Sequence, residues 1–116
     1  MPLFELPETE QEVFDIIKSH LLSQNKKCAT KGTCRYSHDG LKCAAGVLIP
    51  NEHYDPAFEN MLWPDLISLH DFPPQHSKLI SCLQRIHDKE EPIEWEDKLR
   101  EVASYFSLKY ERTTNV

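Results

Sequence analysis

Cys28, Cys34, His38 and Cys43 fall within sixteen residues of one another, and thiolates with an imidazole are ordinary ligands of a structural zinc. Their spacings, Cys-x5-Cys, Cys-x3-His and His-x4-Cys, lack the paired Cys-x2–4-Cys knuckle of common zinc domains. No metal ligand is therefore assigned, and a zinc-stabilised binding domain stands as one alternative. A second chemistry is thiol nucleophilic catalysis. A helix predicted over Leu41–Ile49 would put Cys43 in its first turn, where the helix dipole lowers a thiol pKa. His38, His53 or His70 would then serve as base, with Asp39 or Asp55 orienting it. No spacing dictates that pairing, and the apolar run after Cys43 argues for a buried, reduced thiol. No residue is assigned as catalytic, and a small thiol-dependent enzyme using Cys43 is the second alternative.

The third chemistry is anion binding. Arg35 and Lys42 flank Tyr36 and His38, which combines positive charge with a stacking face. Gly32, Gly40 and Gly46 are too far apart to form a phosphate-cradling glycine loop. Trp63, Trp95, Phe58, Tyr105 and Phe106 read as core, and His20 and His87 as boundary residues of amphipathic helices.

The elements that must position these groups are predicted to be helices. Thr9 followed by Glu12 is a capping-box pattern, opening a helix to about Ser23 with Val13, Phe14, Ile17 and Leu21 on one face. Residues 24–40 read as a long loop without periodicity. Leu41–Ile49 carries both strand and helix signals; the Ala44-Ala45 pair, a cap at Asp39 and a stop at Pro50 select helix. Gly46 inside it implies close packing against another backbone or a partner. Asp55-Pro56 and Trp63-Pro64 each open a short helix. Leu79, Leu83 and Ile86 mark a helix over about Gln75–Lys89, with Cys82 beside the stripe, and Trp95, Leu99, Val102, Ala103 and Phe106 mark the last. The expected architecture is an all-α, single-domain helical bundle over residues 1–116, with a long cysteine-containing loop and flexible ends at about 1–7 and 111–116.

The net charge of −6 opposes a general affinity for nucleic acid or an anionic membrane. Charge is unevenly placed: Lys26, Lys27, Lys31, Arg35 and Lys42 stand against Asp39 alone, and an acidic stretch runs from Asp88 to Glu101. The segment MPLFELPETEQ lacks the basic start and apolar run of a secretory signal, and no apolar run is long enough for a membrane span. Four cysteines in that setting predict reduced thiols and a cytoplasmic protein.

The motif Cys34-x-Tyr36, Gly40-x-Lys42-Cys43-Ala44-x-Gly46-x-Leu48-Ile49-Pro50 and Tyr54-Asp55-Pro56 resembles that of a family of small proteins from bacteria and their phages. The stretch from His87 to Trp95 also fits that family. The resemblance implies a compact fold and a phage or prophage origin, and it transfers no catalytic residue. The expected function is a non-catalytic binding or accessory protein without a cofactor, acting on a host protein or a small anionic ligand. Arg35, Tyr36, His38, Lys42, Tyr54 and Asp55 are the expected binding residues, supported by Cys34, Cys43 and Gly46.

Overall fold

Apolar stripes at helical spacing become four α-helices in the computed structural model, which describes residues 2–30 and 33–110. They are α1 (Glu10–Gln24), α2 (Trp63–His70), α3 (Ser77–Lys89) and α4 (Pro92–Tyr105). Helix α1 opens on the expected capping box: the Thr9 hydroxyl accepts from the Glu12 N–H, and the Glu12 carboxylate accepts from the Thr9 N–H. Val13, Phe14, Ile17 and Leu21 are fully buried against α3 and α4. Helix α2 begins with Trp63-Pro64 at its first turn, as the position of the proline requires. Leu79, Ile80, Leu83 and Ile86 on α3 and Trp95, Leu99 and Ala103 on α4 complete the core.

The molecule is mostly helical but not all-α. Between α1 and α2 the chain makes two small antiparallel hairpins: β1 (Ala29–Thr30) with β2 (Thr33–Cys34), and β3 (Ser37–His38) with β4 (Leu41–Lys42). The helix expected over Leu41–Ile49 is absent. Asp39 and Gly40 both have positive φ, 53° and 78°, which gives the two-residue turn whose twist suits a hairpin. Asp39 therefore turns the chain and cannot act as a helix cap. The Lys42 N–H donates to the Gln24 side chain at 3.0 Å, while its carbonyl accepts from Gln24 at 2.8 Å and bonds His20 at 2.8 Å. Those backbone groups are thus committed to α1 and unavailable to a helix.

Beyond β4 come three single 3-10 turns, Gly46–Leu48, Asn51–His53 and Pro56–Phe58. The last is capped by the Asp55 carboxylate, which accepts from the Ala57 N–H at 2.8 Å. Gly46 does mark a close approach: a Cβ there would stand 2.1 Å from the Tyr36 carbonyl oxygen.

Both ends of the described chain are tied down. The Leu3 N–H donates to the Asp71 carbonyl at 2.7 Å, and Phe4 packs edge-on to Phe72 at 5.0 Å. The expected flexible lead is anchored at those two residues. Tyr110 lies between the cations of Lys18 and Arg100, 4.6 and 4.2 Å from its ring centre. The end expected to be flexible at 111–116, and Lys31 and Gly32, lie outside the described residues. Two of the aromatics read as core leave it: Tyr105 is 69% exposed, and Phe106 is only partly buried. Among the described residues, no helix is long and apolar enough to cross a membrane.

Candidate functional site

A cleft of about 640 Å³ opens between three pieces of chain. Cys34, Arg35 and Tyr36, where β2 leads into the second hairpin, form one wall. The segment from Glu59 to Pro64 forms another, with apolar Met61, Leu62, Trp63 and Pro64. The third is a face of α3 carrying Lys78, Cys82, Gln84, Arg85, Asp88 and Lys89. Helical spacing explains that face. Lys78, Arg85 and Lys89 recur at steps of seven and four residues, so they stand on one side of α3 along about 16 Å of axis.

Its two acids are already engaged by the protein itself. The Glu59 carboxylate is 8% exposed and lies 3.9 Å from the Arg35 Nε. It accepts from the N–H groups of Tyr36 and Ser37 at 2.9 and 3.3 Å, and from the Tyr54 hydroxyl. The Asp88 carboxylate accepts from the Gln84 amide and from His87 Nδ1, both at 2.8 Å. Arg85 is exposed and has neither an ion pair nor a hydrogen bond among the described residues. The lining thus holds two positive charges in excess, in a chain of net charge −6. A concave, low-dielectric wall concentrates such a field.

Two buried nitrogens of cleft residues have no acceptor within hydrogen-bond distance among the described residues: Arg35 Nε and Trp63 Nε1. Trp63 is only 2% exposed. A buried donor left unsatisfied costs about 1–3 kcal/mol.

Behind the cleft wall sits a polar network that the sequence did not announce. His87 is fully buried, not a boundary residue. Its Nε2 accepts the Cys28 N–H at 2.9 Å, which leaves Nδ1 as the ring donor to Asp88. The ring stacks on Trp95 at 5.7 Å. Gln84 completes the chain by accepting the Ala45 N–H at 2.8 Å. Through α3, this network ties the cleft to both hairpin regions.

The cysteine-histidine quartet Cys28, Cys34, His38 and Cys43 does not converge. The one group of metal-type side chains that does come together among the described residues is Cys34, His87 and Asp88, with ligand atoms within 4.8 Å of one another. Its donor chemistry does not suit a metal. Both nitrogens of His87 are committed, one to an N–H donor and one as a donor, and coordination would require breaking one of those bonds. The group works as a hydrogen-bonded structural cluster.

Nor does a nucleophile emerge. Cys43 is fully buried, and burial pushes its thiol well above the ordinary range although the Gly46 N–H donates to its sulfur at 3.1 Å. The Cys34 thiol is raised by burial and then by the neighbouring Asp88 carboxylate. His53 stacks on Phe4, and His70 packs on Phe58 at 4.9 Å. All four cysteines are free thiols.

Of the expected binding residues, Arg35 and Tyr36 line the cleft, and Tyr54 supports it through Glu59. His38 stands 3.9 Å from Asp39, Lys42 donates to Asn51 at 2.6 Å, and Asp55 caps a turn; none of the three lines the cleft. Lys78, Arg85, Lys89 and Trp63 are cleft residues that the sequence reading did not select. The available signal was the spacing of cations on the polar face of α3.

The buried thiols set an alkaline limit on stability. Burial, then the Glu59 charge, pushes the Cys28 thiol from 9.0 to about 11. A raised folded-state pKa stabilises fully below the unfolded value and is lost as pH climbs through the folded one. Unfolding free energy is therefore expected to fall between pH 9 and 11, by on the order of 2 kcal/mol from Cys28 alone. Urea melts in half-unit pH steps check this, and a flat profile to pH 11 would contradict it. No family model, curated protein or solved structure matches the chain.

Proposed function

We propose that the protein is a non-catalytic binding module that takes a small anionic ligand in the cleft against α3. The observation that carries this reading is the cleft's charge: Glu59 and Asp88 are satisfied internally, while Arg85 and Lys89 line it from α3 without an ion pair or hydrogen bond among the described residues, and Lys78, also in the lining, is shared with the ring and hydroxyl of Tyr105. Apolar Met61, Leu62 and Pro64 opposite them supply area for the ligand's body. The upward shift of the Cys34 thiol by burial and Asp88, and the burial of Cys43, favour binding over thiol chemistry. An accessory role in the cytoplasm of a phage-bearing cell is part of the same proposal, supported by the Cys34–Pro56 motif.

The test is thermal melting with a panel of organic carboxylates, sulfonates and phosphate esters. A ligand at a hundredfold its Kd adds about 2.7 kcal/mol, a rise of roughly 5 °C or more for a domain of this size. The double variant R85Q/K89Q changes two exposed side chains, costs about 1 kcal/mol or less for the cation lost from the last turn of α3, and is expected to fold while losing the rise. A panel with no stabilising member, or an undiminished rise in the variant, would refute the reading.

A further inference from the structure

The cleft presents two unlike features to an occupant. On one side stand Arg85 and Lys89, exposed and four residues apart on α3, which brings their side chains together on one helix face. On the other stands the apolar wall of Met61, Leu62 and Pro64, while the Arg35 guanidinium nearby in the lining is paired with Glu59. The charge surplus of the lining is two. A single carboxylate would leave half of it unmatched, and a bare inorganic anion would leave the Met61–Pro64 wall uncovered.

We propose that the ligand is a small organic dianion with an apolar body. Its anionic group is held by Arg85 and Lys89, and its body lies on the Met61–Pro64 wall. The inference rests on the cleft being the binding site and adds the charge and shape of what it selects. The guanidinium of Arg85 offers paired donors to a planar or tetrahedral oxyanion, and Lys89 adds a point charge.

Phenyl phosphate, phenyl sulfate and inorganic phosphate separate these contributions. At pH 8 the first is a dianion with a ring, the second carries the same ring with one charge, and the third has no body. Calorimetry on the unsubstituted chain is expected to show phenyl phosphate binding about tenfold or more tightly than either of the others. The variant R85Q/K89Q is expected to lose at least tenfold for phenyl phosphate and to close its gap to phenyl sulfate.

Equal affinity for the two esters would overturn the dianion while leaving an anion-binding cleft in place. Equal affinity for phenyl phosphate and inorganic phosphate would remove the apolar body. Failure of all three anions at millimolar concentration would overturn the inference together with the reading beneath it.

Discussion

Gly46→Ala is expected to destabilise the protein by about 3 kcal/mol or more, at the top of the range for overpacking. The added Cβ would meet the Tyr36 carbonyl oxygen at 2.1 Å, the Tyr36 carbonyl carbon at 3.0 Å and Cys43 Sγ at 3.2 Å. The first two are backbone atoms and cannot swing aside as the tip of a side chain would. The Tyr36 oxygen is also held in place, because it accepts the Cys43 N–H at 3.2 Å. Relief therefore requires β3 and the Gly46 turn to separate, opening the packing around buried Tyr36 and Cys43. Because Tyr36 and Arg35 line the cleft, anion binding should weaken in the same variant. Urea melts at constant slope provide the measurement, and a loss under 0.5 kcal/mol would show that the hairpin yields easily.

His87 is expected to rank next. His87→Ala removes a fully buried ring stacked on Trp95 and leaves the Cys28 N–H without its acceptor, at a cost of about 3–5 kcal/mol. His87→Phe keeps an aromatic ring there but still strands the Cys28 N–H and releases Asp88. It should cost about 1–3 kcal/mol, so the order of the two variants separates packing from hydrogen bonding. A phenylalanine variant as stable as the parent would show that the His87 contacts to Cys28 and Asp88 contribute nothing net.

The helices were legible because each carries its own evidence. The Thr9 capping box, the proline at the first turn of α2, and the apolar stripes of α1, α3 and α4 are local signals that tertiary packing reinforced. The hairpins were hard to see because their strands are two residues long, too short to show alternation. The Asp39-Gly40 pair did announce the second one, but the helical stripe through Ala44 and Ala45 competed with it. Arg35 and Tyr36 were within reach of sequence reasoning, since charge and aromatic character are visible in a line of text. The α3 cations looked like any solvated helix face until the Glu59–Pro64 wall stood opposite them. His87 could not be placed either, because the partner that explains its burial, Cys28, is 59 residues away in sequence.

Helix α3 is two-sided, with Leu79, Ile80, Leu83, Ile86 and His87 turned inward while Lys78, Arg85 and Lys89 remain outside. Evolutionary change on the outer ridge is thereby uncoupled from folding. A substitution at Arg85 or Lys89 changes the charge of the cleft at little cost in stability, Lys78 also holds Tyr105, and the inner positions tolerate almost no change. On the proposed anion-binding reading, diverging copies of this chain would keep the inward set and vary at 78, 85 and 89, each lineage retuning its ligand on an inherited scaffold. For engineering, the same separation makes those three positions the natural sites of a selectivity library.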